Sequence, residues 1–343
     1  MKKLIYLATV CLMLASCSPA SPILSSVQPA SIVIAAAAPT QPPVAAQQSI
    51  ATANATATAA PQDPPAVKVP NFDHIVLIML ENKYFQDVIG GAQMPHLNAL
   101  AKQNVLLSNY FAIGHPSLPN YLALLSGSTQ NIASDCLNCF VNQPNLADEI
   151  EASGRTWKSY QESLPSPCFV GNAGHYAQWM NPFIYFDSIR LDATRCDRSI
   201  VPLTQLDKDL AANQLPNFSL IMPNLCDSGH SCVAETSDNW LNAMVAKLQA
   251  SPALGQNSLI IITFDEGVQD NTATCCGKTT KTKGQIPAVL ISPLARQGFN
   301  DPAIYSHYNL LKTILAAWNL PGLGQTAQDY IEPIVAPWNT QHQ

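Results

Sequence analysis

Positive charge is scarce in this chain: 17 lysines and arginines stand against 23 acidic residues among 343, a net of -6. The basic residues are scattered apart from Lys278, Lys281 and Lys283, which sets nucleic-acid binding aside as the main role. Beyond the N-terminal segment no apolar run approaches the roughly 20 residues that cross a bilayer; "SIVIAAAA" is too short, and no transmembrane helix is expected. No internal repeat is visible. A G-x-S-x-G sequence is also missing, which removes the nucleophile elbow of a conventional serine hydrolase.

What is present begins with an export pattern. Lys2 and Lys3 precede the apolar run Leu4 to Leu14, and Leu14-Ala15-Ser16-Cys17 looks like a bacterial lipobox. Residues 1–16 therefore read as a lipoprotein signal peptide with Cys17 as the lipid-bearing first residue, the alternative being an ordinary cleaved signal with a chance cysteine. Residues 17–70 are Ala, Pro, Ser, Thr and Gln with hardly a charge, too poor in apolar surface to offset their ordering entropy. They read as a disordered tether. The expected placement is an exported protein, lipid-anchored to the cell envelope, with an extracytoplasmic domain over 71–343.

Ten cysteines remain to be sorted. Cys11 falls in the signal and Cys17 is the lipid site, leaving Cys136, Cys139, Cys168, Cys196, Cys226, Cys232, Cys275 and Cys276. An even count in an exported chain argues for disulfides, in one of about 105 connectivities. The rival reading is a zinc knuckle of Cys136, Cys139, Cys275 and Cys276.

Apolar runs without polar alternation occur at "HIVLIML" (74–80), "FSLIMP" (218–223), "LIIITF" (259–264) and "IPAVLIS" (286–292), which suits strands buried on both faces. Amphipathic helical patterns start at Met94, Asn145, Ser237 and His307, with Ser237 or Asp238 as cap of the third. This alternation predicts an α/β fold, a mostly parallel central sheet sandwiched by helices.

Ligands in such sheets bind beyond the carboxyl ends of the strands. Glu81 and Asn82 follow the first run, Asn224, Asp227 and His230 the second, and Asp265 and Glu266 the third. Each has a plainer reading: "CDSGH" as an Asx-turn in a loop closed by Cys226 and Cys232, "FDEG" as an acidic turn, His307 as a helix cap. Convergence of separate strand ends favours a site over independent turns. In "AIGHPSLPNYLALLSGS" Pro116 and Pro119 frame Ser117 between a strand and a helix, where a hydroxyl is exposed and free N–H groups attract an anion.

At these residues the chain resembles the bacterial phosphoesterase family of phospholipases C and secreted acid phosphatases, a branch of the alkaline-phosphatase superfamily. The likeness rests on "HIVLIMLENKYF", "HPSLPNYLALLSGS", "PNLCDSGH", "TFDEG", "IPAVLISPLARQGF" and "YSHYNLLKTI", in order across 74–316. The resemblance implies an alkaline-phosphatase-like fold, Ser117 as nucleophile and Asn120 as a donor to phosphate oxygen. It also implies one metal held by Glu81, Asp265, Glu266 and Ser117, with Asn82 on that metal or on phosphate, and a second at Asp227, His230 and His307. The family often carries arginine at the positions of Lys83 and Tyr121, so a guanidinium clamp is missing here.

The activity so implied is a metal-dependent phosphomonoesterase of acid-phosphatase type working through phospho-Ser117. The alternatives are a phospholipase C-like or nucleotide phosphodiesterase, and a non-catalytic surface lipoprotein. His115, two residues from Ser117, is either a local acid or base or a loop-packing histidine. Carboxylate ligands favour Mg²⁺, Mn²⁺ or Ca²⁺, whereas an Asp-His-His set suits Zn²⁺. The expected partners are a phosphate-ester substrate, small molecule or phospholipid, and the membrane through the lipid anchor.

Overall fold

The continuous apolar runs become strands because each is buried on both faces. The computed structural model describes residues 68–267 and 284–339. Strand β1 (His74–Leu80) leads to the short helix α1 (Phe85–Val88), helix α2 (Pro95–Gln103) and strand β2 (Val105–Phe111). Then come α3 (Ser117–Ser126), α4 (Leu146–Ala152), β3 (Trp157–Gln161), α5 (Asp187–Arg190), α6 (Ala193–Ser199) and β4 (Ile200–Pro202). The chain continues through α7 (Thr204–Ala211), β5 (Phe218–Met222), α8 (Ala234–Ala250), β6 (Ser258–Phe264), β7 (Ala288–Ile291), β8 (Asn300–Ser306) and α9 (His307–Ala317).

The strands form one sheet in the order β4-β3-β5-β1-β6-β7-β2-β8. Only β7 runs against its neighbours; the remaining pairs are parallel. The predicted α/β sandwich with a mostly parallel sheet is thus the observed one. Every residue of β6, and all of β1 after His74, is buried. Each fully buried Ile or Leu in such a strand contributes about 1.5–3 kcal/mol.

Register places the site. Leu80 pairs with Phe264, so Glu81 and Asp265 leave adjacent strands at the same height, and the Asp265 N–H donates to the Leu80 carbonyl at 3.1 Å. Because β2, β5 and β8 run the same way, Ser117, the 224–232 loop and His307 emerge at the same edge. This is the edge where open α/β sheets hold ligands.

Helix α3 is buried along its whole length, from Ser117 to Ser126. It stops at Gly127, whose φ of 68° is left-handed and whose added Cβ would lie 2.0 Å from the Leu323 carbonyl oxygen. Only glycine fits there.

Two local expectations are corrected. Helix α8 starts at Ala234, so Ser237 and Asp238 lie inside it rather than capping it. Buried Asp238 instead accepts from the backbone N–H groups of His96 and Leu97 at 2.9 and 2.8 Å, the first turn of α2. The zinc knuckle is also overturned: Cys136 and Cys139 are joined to each other, and Cys168–Cys196 and Cys226–Cys232 are the other disulfides among the described residues. A sulfur already in a disulfide is no thiolate ligand. The signal, Cys17, the tether up to residue 67, Cys275, Cys276 and the three clustered lysines lie outside the described residues.

Candidate active site

Ser117 opens α3 immediately after a cis His115–Pro116 peptide, and it is 2% exposed. Its hydroxyl donates to Glu81 Oε2 at 3.2 Å, and the Asp265 carboxylate lies beside it. Four residues on, one helical turn away and so on the same face, the Tyr121 hydroxyl donates to Glu81 Oε1. Glu81, itself 0% exposed, is thus held from both sides by α3. Position 121, where the resemblance implies arginine, carries a phenol that fixes a carboxylate.

Glu266 is held separately. It accepts from Asn82 Nδ2 at 2.9 Å and Asn120 Nδ2 at 3.3 Å, and His115 Nδ1 lies 2.6 Å from its Oε1. Asn82 sits in the left-handed region with φ 43°, a strained position that Asn tolerates better than most residues. That geometry sends its N–H to Asp265 Oδ1 at 3.3 Å and leaves its Oδ1 buried without a partner.

Asn120 spends its amide on the turn. Its Oδ1 accepts from the N–H groups of Ile113 and Gly114, and its Nδ2 donates to the Gly114 and Pro116 carbonyls as well as to Glu266. It is therefore the strut of the segment that presents Ser117.

The electrostatics are those of crowded carboxylates. Burial, then the nearby Asp265 charge, raises the Glu81 carboxyl well above its ordinary range. Burial pushes Asp265 up to about 7, and burial together with the charges of Asp265 and Glu81 pushes Glu266 to about 10. Lys83 is nearby, its ammonium lowered by burial and supported by the charges of Glu81 and Asp265. Asp265 Oδ2 is another buried atom without a partner.

Among the described residues no three His, Cys, Asp or Glu side chains close into one metal-ligand group. What converges on Ser117 is a pair of carboxylates, Glu81 and Asp265, with the orphaned oxygens Asp265 Oδ2 and Asn82 Oδ1 alongside. This all-oxygen donor set, in which burial disfavours charge on both carboxylates until a cation offsets it, fits a hard divalent cation.

The second implied set does not gather. Both ring nitrogens of buried His307 are engaged, Nδ1 with the Tyr110 hydroxyl at 2.9 Å and Nε2 with the Asp265 carbonyl at 2.7 Å. Burial lowers its pKa to about 4, so it is a neutral brace for Asp265. Asp227 Oδ2 accepts from Asn224 Nδ2 at 3.2 Å, and Asn224 Oδ1 takes the N–H groups of Cys226 and Asp227 in the Asx-turn that was the plainer reading. Exposed His230 stands instead among Asp135, Lys83 and Trp179.

Asp135 and Tyr121 are the residues sequence reasoning missed. Asp135 Oδ1 accepts from the Leu118 N–H at 2.8 Å, so an internal carboxylate occupies one of the α3 amides expected to meet an anion. No periodicity marks Asp135, which lies in an irregular loop just before Cys136. The Ser117/Tyr121 spacing of four was the available signal for Tyr121.

The comparisons agree with this architecture. The sequence profile of the Phosphoesterase family matches residues 91–321. The phosphate-repressible acid phosphatase of Penicillium chrysogenum is 32% identical over 282 residues, 79% of this chain and 65% of that protein. The phosphatidylinositol-3-phosphatase of Mycobacterium tuberculosis is 31% identical over 277 residues, 80% of this chain and 85% of that one. The chain spans less than two thirds of the length of the fungal acid phosphatases it matches. A protein of the alkaline phosphatase superfamily from Vibrio parahaemolyticus shares the fold, with a TM-score of 0.53 at 16% identity over 80% of this chain and 75% of that one.

Proposed function

The chain belongs to the phosphoesterase family, and from that premise we propose that it is a metal-dependent phosphomonoesterase of acid-phosphatase type whose nucleophile is Ser117. The observation that carries the reading is the buried Ser117 hydroxyl at the start of α3, bonded to Glu81 with Asp265 beside it. Relatives from Penicillium and Mycobacterium that bear phosphatase names support the reaction class.

Glu81, Asp265 and Ser117, with Asn82 beside them, would hold a hard divalent cation. Such an ion, when bound, neutralises the carboxylates, lowers the proton affinity of the serine hydroxyl and stabilises charge on the phosphoryl oxygens. The chain's own residues do the rest. Tyr121 fixes Glu81 so that its Oε2 stands 3.2 Å from Ser117 Oγ as proton acceptor. Attack of Oγ on phosphorus forms the O–P bond of phospho-Ser117 as the P–O bond to the leaving alkoxide breaks; the alkoxide takes its proton from water, and Glu81 returns its own to Ser117 Oγ when the ester is hydrolysed. Hydrolysis of that ester by water restores Ser117, with His115, 2.6 Å from Glu266, placed to take the water's proton.

The three disulfides fit an oxidising compartment, in line with export of the domain by the N-terminal signal and its retention on the envelope through Cys17. The test is phosphate release from an aryl phosphomonoester beside the matching diester, with chelator and with Ser117→Ala. Monoester turnover lost in both controls is expected. Turnover of the diester alone moves the activity to the phosphodiesterase side, and full activity of Ser117→Ala refutes the nucleophile.

A further inference from the structure

Helix α3 starts with few amides to offer. A helix leaves its first four N–H groups without partners of its own. Here those positions are Pro116, the cap, followed by Ser117, Leu118 and Pro119, and the two prolines have no N–H. Only the Ser117 and Leu118 amides are left, and the Pro116 side chain can accept from neither.

A residue 17 positions beyond Leu118 supplies the missing cap. Half-buried Asp135 accepts from the Leu118 N–H through Oδ1 at 2.8 Å. The Ser117 N–H is then the one amide of this turn that no hydrogen bond among the described residues occupies. It belongs to the residue whose hydroxyl would attack, at the positive end of the helix dipole.

Asp135 is itself held in place. The chain after it turns back at once through the Cys136–Cys139 disulfide. The Cys136 carbonyl accepts from the Tyr185 hydroxyl at 2.9 Å and the Leu137 carbonyl from Gln178 Nε2 at 2.7 Å, both from side chains that are 0% exposed. These two anchors come from the single-turn helices Pro182–Tyr185 and Gln178–Met180, which pack against α3. The cap and the helix it caps thus share one support. The charge of Asp135 is felt at Glu81, Asp265 and Glu266 on one side and at His115 and His230 on the other, so it stands at the site and not behind it.

We propose that Asp135 is a positioning residue for the reaction: through the Leu118 amide it fixes the first turn of α3, and so the aim of Ser117 Oγ beside Glu81 and Asp265, while leaving the Ser117 N–H for the phosphoryl group. The inference rests on the reading of Ser117 as nucleophile. Displacing a reacting group by about 1 Å costs on the order of 100-fold in rate, so loss of the cap should fall on kcat.

A cap needs an acceptor oxygen, whereas an electrostatic role needs the charge, and the two are separable by substitution. The test is kcat and KM of the full chain, Asp135→Ala and Asp135→Asn on an aryl phosphomonoester with Mg²⁺, Mn²⁺ or Ca²⁺ supplied, with thermal unfolding in parallel. Asp135→Asn keeps an oxygen for the Leu118 N–H and should hold kcat within threefold of wild type or above it. Asp135→Ala, folded, should lose at least tenfold in kcat with KM changed by less than threefold. Asp135→Leu, close to asparagine in size but without an acceptor, takes its place if the alanine variant does not fold. A folded Ala or Leu variant with kcat within twofold of wild type overturns the proposal, as does a loss confined to KM or an equal loss in Asp135→Asn. Each of those results leaves the phosphatase reading intact, while silence of the wild type with every cation removes both.

Discussion

Tyr121→Phe tests whether the α3 phenol positions the carboxylate beside the nucleophile. The substitution keeps the ring and deletes one oxygen in a site where Tyr121 is 1% exposed, so no large cavity forms. What is lost is the bond to Glu81 Oε1, leaving the Glu81 carboxylate with Ser117 alone among its side-chain hydrogen-bond donors. A hydrogen bond to a charged group is worth about 1.5–3 kcal/mol. Felt wholly at the transition state, that is roughly 10- to 150-fold in kcat/KM. The assay is steady-state hydrolysis of an aryl phosphate, with thermal unfolding in parallel. Tyr160→Phe is the control, since it removes an equally buried hydroxyl from another carboxylate, Asp209, at 2.7 Å, one that bonds none of the residues converging on Ser117. Tyr121→Phe should lower kcat with the protein folded, whereas Tyr160→Phe should lower stability and spare kcat. Equal kcat/KM for wild type and Tyr121→Phe would refute the positioning role.

Three further outcomes are expected. Burial alone would raise the Asp209 carboxyl, but hydrogen bonds from Lys158, Tyr160 and Gln205 outweigh it and hold it below the usual aspartate value. The stability it contributes is therefore fully present above the unfolded value of about 3.9 and is lost as pH falls through the folded value. The gap in urea midpoint between wild type and Asp209→Asn should be constant from pH 6 to 8 and narrow from pH 5 to 2; a gap independent of pH contradicts the lowered value. Replacing both cysteines of Cys168–Cys196, 28 residues apart, should cost about 3–4 kcal/mol from loop entropy, against about 2 for the 6-residue Cys226–Cys232 loop. Reversal of that order in denaturant melts rejects the loop-entropy account. Gly127→Ala should destabilise by more than the roughly 1 kcal/mol of an ordinary helix-end change, because its Cβ collides with the Leu323 carbonyl; a melting temperature equal to wild type rules out the clash.

The strands that could be read directly were those whose burial is uniform. β1, β5, β6 and β7 are unbroken apolar runs, and their positions match within one or two residues. β2 and β3 carry no unbroken apolar run because polar residues interrupt them (Ser108 and Asn109; Lys158, Ser159 and Gln161), β4 is only three residues long, and β8 mixes buried and exposed positions. β8 is the extreme case, "NDPAIYS", which reads as a turn yet pairs with β2. The reversed direction of β7 was equally invisible, since an apolar run carries no arrow.

For the site, sequence alone selected Ser117, Glu81, Asn82, Asp265 and Glu266, because strand-end carboxylates and a proline-framed serine carry their signal in local order. Their convergence was decided by register: Leu80 opposite Phe264 brings Glu81 and Asp265 to one height, and α3 lays Ser117 and Tyr121 across them. His307 shows the opposite case. By residue type it is a ligand, but tertiary packing gives both of its nitrogens to Tyr110 and Asp265. Which chemistry a side chain is capable of is written in the chain; which partner satisfies it is fixed only when distant segments are packed together, because a buried polar group must take the nearest complementary atom the fold supplies.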